Sequence, residues 1–316
     1  MTTKTTIYLH PSSLAHDTGP EHAESIERIK TLIALFNSDE FKHLPQKQAQ
    51  AATREQLLTA HNESYIQSIE DAVPESGYVR IDEDTVLCPN SLEAALYAAG
   101  GPCVAVDDLM SGQTRRAFCA LRPPGHHAES NRSMGFCVFS NIYIAARHAQ
   151  KRHGKQRIAI VDFDVHHGNG TDTLVRAHDH EEHGEILFIS THQYPLWPMT
   201  GLPEDNEDFV QNWTLAPETG SNEMRALYET NIFPALEAFK PDLLFLSAGF
   251  DSHRDDPLAK LNWTEEDFGW LTEKFCDIAD QYAQGRILSV LEGGYNINAL
   301  TASVRAHILA FEGDKS

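Results

Sequence analysis

Three polar side chains spaced by two, Asp162, Asp164 and His166, follow the apolar run Ile158 to Val161. On an extended backbone that spacing puts them on one face, as groups converging on a cation require. A carboxylate and an imidazole at i and i+2 can both ligate zinc. Asp251, after another apolar run, would complete an Asp-His-Asp set with one position open to water or substrate. Any one of these residues alone also suits a cap or turn after a strand; jointly they argue for a metal. His126 and His127 are adjacent and preceded by Pro123, Pro124 and Gly125, a stiff lead-in that orients both imidazoles. Neutral histidine near pH 7 can take or give a proton. Tyr295 follows Gly293 and Gly294, which let the loop bend so that a phenol leans over a carbonyl as an oxyanion donor. Phe136, between Gly135 and Cys137, is a candidate pocket wall.

Such residues need elements that bring them together. Five apolar runs, Phe118 to Leu121, Ile158 to Val161, Ile186 to Ile189, Leu243 to Leu246 and Ile287 to Leu291, are continuous rather than alternating. With helical patterns between them, they predict parallel strands covered on both faces, an α/β fold. Polar segments follow each run: Arg122 to His127, Asp162 to Asn169, Ser190 to His192, Ala248 to Asp251 and Glu292 to Asn296. Ligands of open α/β sheets bind outside the carboxyl ends of the strands, so five separated segments predict one site. Ser25 to Phe36 and Thr264 to Tyr282 predict amphipathic helices, the second capped by Thr264 with Asp267 three residues on and stopped by Gly285. No repeat or linker interrupts the chain, so one domain over residues 1–316 is expected.

Composition narrows the function. Lys+Arg 25 against Asp+Glu 46 gives a net charge of −21, with no basic run, which disfavours a nucleic-acid partner and leans toward cationic ones. The 5 cysteines form no CxxC pair and are expected to be reduced. Nothing approaches the ~20 apolar residues of a membrane span, and no apolar leader opens the chain, so a soluble, cytoplasmic protein is expected. GxSxG, P-loop and GxGxxG motifs are missing, which leaves metal-assisted hydrolysis ahead of serine-hydrolase or nucleotide chemistry.

RPPGHHAE (Arg122 to Glu129), GFCVFSN (Gly135 to Asn141), VDFDVHHGNGT (Val161 to Thr171), SAGFD (Ser247 to Asp251) and LEGGYN (Leu291 to Asn296) resemble, in order, the zinc-dependent histone deacetylase superfamily. His22-Ala-Glu24 and Arg28 are similar to its N-terminal His-Pro-Glu…Arg segment, with Ala23 in place of Pro. Asn169, where class I enzymes carry Asp, makes the chain look like class II enzymes and their bacterial deacetylase-like amidohydrolase relatives. The resemblance implies an arginase/deacetylase-like fold, an eight-stranded parallel sheet flanked by helices, with one zinc per subunit held by Asp164, His166 and Asp251. It makes His127, oriented by Asn169, the general base and then acid; His126, partnered by Asp162, the electrostatic support; and Tyr295 the oxyanion donor. A structural potassium ion is implied at Asp162, main-chain oxygens of Asp164 and His166, and Ser190 and Thr191. Gly135, Phe136, Trp197 (Phe in many relatives) and Leu258 would line a substrate tunnel.

The implied activity is deacetylation of acetyl-lysine-like amines. The alternative is an acetylpolyamine amidohydrolase, although Leu258 stands where one polyamine-selective branch carries Glu. Substrates would be an acylated lysine side chain or an acetylated polyamine, with neither nucleic acid nor membrane as partner and a homo-oligomer left open. A binuclear ureohydrolase needs further carboxylates where Gly168 and Ser252-His253 stand, and a catalytically dead binding module is opposed by the presence of Tyr295.

Overall fold

The computed structural model describes residues 3–313. Its main sheet has eight strands: β1 (Thr3–Leu9), β2 (Gln46–Gln48), β5 (Thr114–Cys119), β6 (Arg157–Asp162), β7 (Glu185–Gln193), β8 (Val210–Leu215), β9 (Leu243–Ala248) and β10 (Ile287–Leu291). A small antiparallel pair, β3 (Val79–Arg80) and β4 (Val86–Leu87), stands apart from it. The order across the sheet is β2-β1-β5-β10-β9-β6-β7-β8, and every neighbouring pair is parallel. The five strands anticipated from continuous apolar runs are five consecutive neighbours, β5-β10-β9-β6-β7, so their carboxyl ends open side by side.

Both sheet faces are dry, as unbroken hydrophobicity requires. Alternation along β6 sends Ile158 and Ile160 into one apolar cluster and Ala159 and Val161 into the other. One face is covered by helices Ile297–Glu312 and Glu265–Tyr282, the other by Ser91–Ser111 and Asn141–His153. Helix Glu265–Tyr282 starts where Asp267 Oδ2 accepts the Thr264 N–H at 2.9 Å. It buries Phe268, Leu271, Phe275 and Ile278, each contributing about 1.5–3 kcal/mol, and leaves Tyr282 half-buried. Its last turn ends at Ala283, and Gly285, at φ +74°, donates to Ala279 O at 2.8 Å. Helix Ile26–Phe36 buries Ile29, Leu32 and Phe36.

Two boundaries move. The strand expected over residues 118–121 is β5, which begins at the polar Thr114 because pairing with β1 and β10 carries the ladder back that far. Ser190, Thr191 and His192 lie inside β7 rather than after it, because β8 pairs along Phe188 to Gln193.

Candidate active site

β6 ends at Asp162, so Asp164 and His166 sit on a bend and the extended-strand alternation does not position them. Spacing by two works here through local turns. Asp162 Oδ1 accepts the Asp164 N–H at 3.1 Å, and Asp164 Oδ1 accepts the His166 N–H at 2.9 Å. Asp162 turns away to His126, and its place near His166 is taken by Asp251 from beyond β9, whose Oδ1 accepts the Val165 N–H at 2.9 Å. Asp164, His166 and Asp251 each bring a ligand atom within 4.8 Å of the others, and all three are buried. His166 Nδ1 lies 3.1 Å from both Asp164 Oδ1 and Asp251 Oδ2.

Electrostatics agree with a cation there. Burial, then the neighbouring Asp164 charge, lifts Asp251 up to about 7. For His166 burial opposes the charged form, yet the two carboxylates hold it up to about 10. A protonated His166 supplies the positive charge between the two buried carboxylates, a place that a cation could take over, and the N/O donor set is one that zinc accepts. The approach of the β10 loop is equally close. Gly293 N–H donates to Asp164 Oδ2 at 2.8 Å, and a Cβ on Gly293 would lie 2.1 Å from Asp251 Oδ2, so glycine is required.

The paired histidines stand beside this group with rings 3.9 Å apart. His126 Nδ1 lies 3.0 Å from Asp162 Oδ2. Burial would lower His126, but Asp162 and Asp164 raise it to about 10. His127 Nδ1 lies 2.8 Å from Asn169 Oδ1. The orientation of that amide is fixed by Glu129, whose Oε1 accepts from Asn169 Nδ2 at 2.9 Å. An amide oxygen only accepts, so His127 carries its proton on Nδ1 and leaves Nε2 as a lone pair. Burial, then the charges of His126 and His166, drives His127 well below its ordinary value and keeps it neutral.

Tyr295 is half-buried, with its ring 5.7 Å from Phe136 and the Arg28 guanidinium 5.0 Å above it. Burial, opposed by Arg28 and reinforced by Asp251 and Asp164, holds its hydroxyl protonated well above its usual range. Trp197 faces His127 edge-on at 4.9 Å, and a Cβ on Gly135 would lie 2.4 Å from the His127 ring and 2.7 Å from Trp197. Gly135 and Trp197 border a cavity of about 280 Å³ lined also by Asp82, Glu83, Asp84 and Arg132. Leu258 lies on the surface, its N–H bonded to Asp256 Oδ1 at 3.0 Å, and does not border that cavity. Ser190 lies opposite Asp162 in the β6–β7 register, with its hydroxyl 2.9 Å from His192 Nδ1, and the Thr191 hydroxyl is 2.5 Å from that of Tyr228.

Several contributors make contacts that no local pattern in the sequence encodes. Glu24, fully buried, binds Arg28 at 3.0 Å and chelates Arg122, with Oε2 2.6 Å from Nη2. Arg28 in turn donates to the carbonyls of Gly294 at 2.7 Å and Glu292 at 2.5 Å, clamping the loop that bears Tyr295. Asp256 Oδ2 accepts the Tyr295 N–H at 2.7 Å. The motif containing His22, Glu24 and Arg28 and the motif Arg122 to Glu129 carried three of these residues, without their contacts.

The histone deacetylase domain family matches residues 22–311. The chain belongs to the histone deacetylase family. Within that family, Histone deacetylase 14, chloroplastic, of Arabidopsis thaliana is 35% identical, over 98% of this chain and 77% of its own length. The histone deacetylase-like amidohydrolase of Pseudomonas aeruginosa is 33% identical, over 94% of this chain and 83% of its own. The crystal structure of the HDA15 HD domain is similar at TM-score 0.90 and 28% identity, covering 99% of this chain and 91% of that one. The eight-stranded parallel sheet and its flanking helices are therefore those of a histone deacetylase domain.

Proposed function

We propose that this histone deacetylase family member is a zinc-dependent amidohydrolase that removes the acyl group from acetyl-lysine-like amines. The observation that carries the reading is the buried Asp164, His166 and Asp251 group, set beside a His127 whose Nε2 lone pair is free. One zinc per chain would be held by those three residues and, when bound, supplies Lewis acidity to the scissile carbonyl and a neighbouring water. His127 Nε2 takes the proton from the attacking water and returns it to the leaving amine. His126, held by Asp162, adds positive charge next to the developing oxyanion, and Tyr295 donates its hydroxyl to that oxygen. Gly135, Phe136 and Trp197 wall the acyl-lysine path, and Leu258, outside the cavity, has no part in it. Asp162, main-chain oxygens of Asp164 and His166, and Ser190 and Thr191 would hold a structural potassium ion, hard oxygens being suited to it.

We take residues 1–316 as one catalytic domain working in the cytoplasm, without nucleic acid or membrane. No disulfide joins any of the 5 buried cysteines, and no helix among the described residues is long and apolar enough to cross a membrane. Acetylpolyamine hydrolysis is the second reading, favoured by Asp82, Glu83 and Asp84, three acids against the one cation Arg132 in the cavity lining. Parallel assays on an acetyl-lysyl peptide and on N-acetylputrescine, each with and without a zinc chelator, separate the two. Chelator-sensitive turnover with the peptide preferred is expected; a large preference for the diamine would replace the first reading with the second, and chelator-insensitive turnover would contradict both.

A further inference from the structure

We propose that Glu292 is a positioning residue that sets the catalytic histidines in register with Tyr295. The inference rests on the reading of His126, His127 and Tyr295 as the reacting groups. Glu292 follows the last residue of β10 and is fully buried. Its Oε2 accepts two backbone N–H groups from the histidine turn, Gly125 at 2.7 Å and His126 at 3.1 Å. Its Oε1 has no hydrogen-bond partner, and a carboxylate oxygen lies within 4.8 Å of a His126 ring nitrogen and of Cys137 Sγ. A carboxylate in such a place is costly to bury, and general core packing does not ask for one. What it does supply is an acceptor for two donors that would otherwise be orphaned inside the protein.

Those donors sit where orientation matters. The His126 carbonyl accepts from Gly170 at 3.0 Å and Thr171 at 3.1 Å, at the start of the helix whose first residue, Asn169, holds His127. The His126 peptide is therefore pinned on one side by the Tyr295 loop and on the other by the Asn169 helix. Glu292 closes that frame, because its own carbonyl is gripped by Arg28 while Gly293 N–H is tied to Asp164. Without the carboxylate the two histidine rings lose their fixed distance to the oxyanion donor while the acyl-lysine path is untouched.

Steady-state kinetics of Glu292→Ala, Glu292→Gln and Glu292→Asp, each with its zinc content measured, test this. Loss of the anchor in Glu292→Ala is expected to lower kcat by about 10- to 100-fold, the scale of a small misplacement of catalytic groups, with KM and zinc content unchanged. Glu292→Gln keeps an acceptor oxygen at the same reach and is expected to stay close to wild type. Glu292→Asp, one methylene short, is expected to fall with Ala. Wild-type kcat in Glu292→Ala, a Gln variant as impaired as Ala, or a loss confined to KM would each overturn the proposal. If the Ala variant does not fold, the Gln and Asp pair decides by the same criteria. An inactive wild type, indistinguishable from His127→Ala, would instead contradict the deacetylase reading itself.

Discussion

His127 shows how much chemistry a single contact can set. Glu129 fixes the Asn169 amide, the amide fixes the His127 tautomer, and the tautomer exposes the lone pair that a general base needs. The convergence of His126, His127, Asp164, His166, Asp251 and Tyr295 could be expected from the sequence because each lies in a short motif after an apolar run. Glu129 and Glu292 stood inside the same motifs, but their roles depend on partners about 40 and 167 positions away, which no local spacing encodes. Tyr295→Phe isolates the phenol: the ring contacts with Phe136 and Arg28 stay, while the donor is lost. Bound zinc should be retained and kcat should drop on the order of 10²-fold or more, as for removal of an oxyanion-hole donor. An unchanged kcat in a steady-state assay would take Tyr295 out of the reaction.

Elements decide where these residues meet. Strands β5, β6, β7, β9 and β10 could be read because central parallel strands are apolar on both faces. β1, β2 and β8 could not: β1 opens Thr3-Lys4-Thr5-Thr6, β2 is Gln46-Lys47-Gln48, and β8 sits at a sheet edge with alternating burial. The N-terminal segment is joined to the site by Glu24, Arg28 and Arg122, all fully buried. Burial pushes the Glu24 carboxyl up, but Arg122 and Arg28 override it and hold it down to about 2. A folded-state value below the ordinary 4.5 means that the ionised form stabilises the fold. The contribution is complete above pH 4.5 and is lost as pH falls from there through about 2. Glu24→Gln leaves two buried guanidinium groups short of charge and should cost about 3–5 kcal/mol at neutral pH. Chemical denaturation from pH 7 down to acid checks it: the gap to wild type should narrow below pH 4.5, and a gap that is pH-independent would show that Glu24 acts through packing alone.

At the scale of the whole molecule, the sheet is a device for bringing distant segments to one rim. His126, Asp164, His166, Asp251 and Tyr295 span 170 positions of sequence, yet they follow four strands that are adjacent in the order β5-β10-β9-β6. The net charge of −21 belongs to the chain as a whole, and an acidic surface serves solubility as readily as it attracts a cationic partner. The central claim is that three residues from two of those strand ends hold one catalytic zinc. The most direct test is to load tag-free protein with zinc, dialyse it, and measure metal content and deacetylation together for wild type and Asp251→Ala. One tightly held zinc per chain and chelator-sensitive activity in wild type, both lost in Asp251→Ala, is the predicted result; a wild type that keeps no zinc, or an Asp251→Ala variant that cleaves the amide as well as wild type, would contradict it.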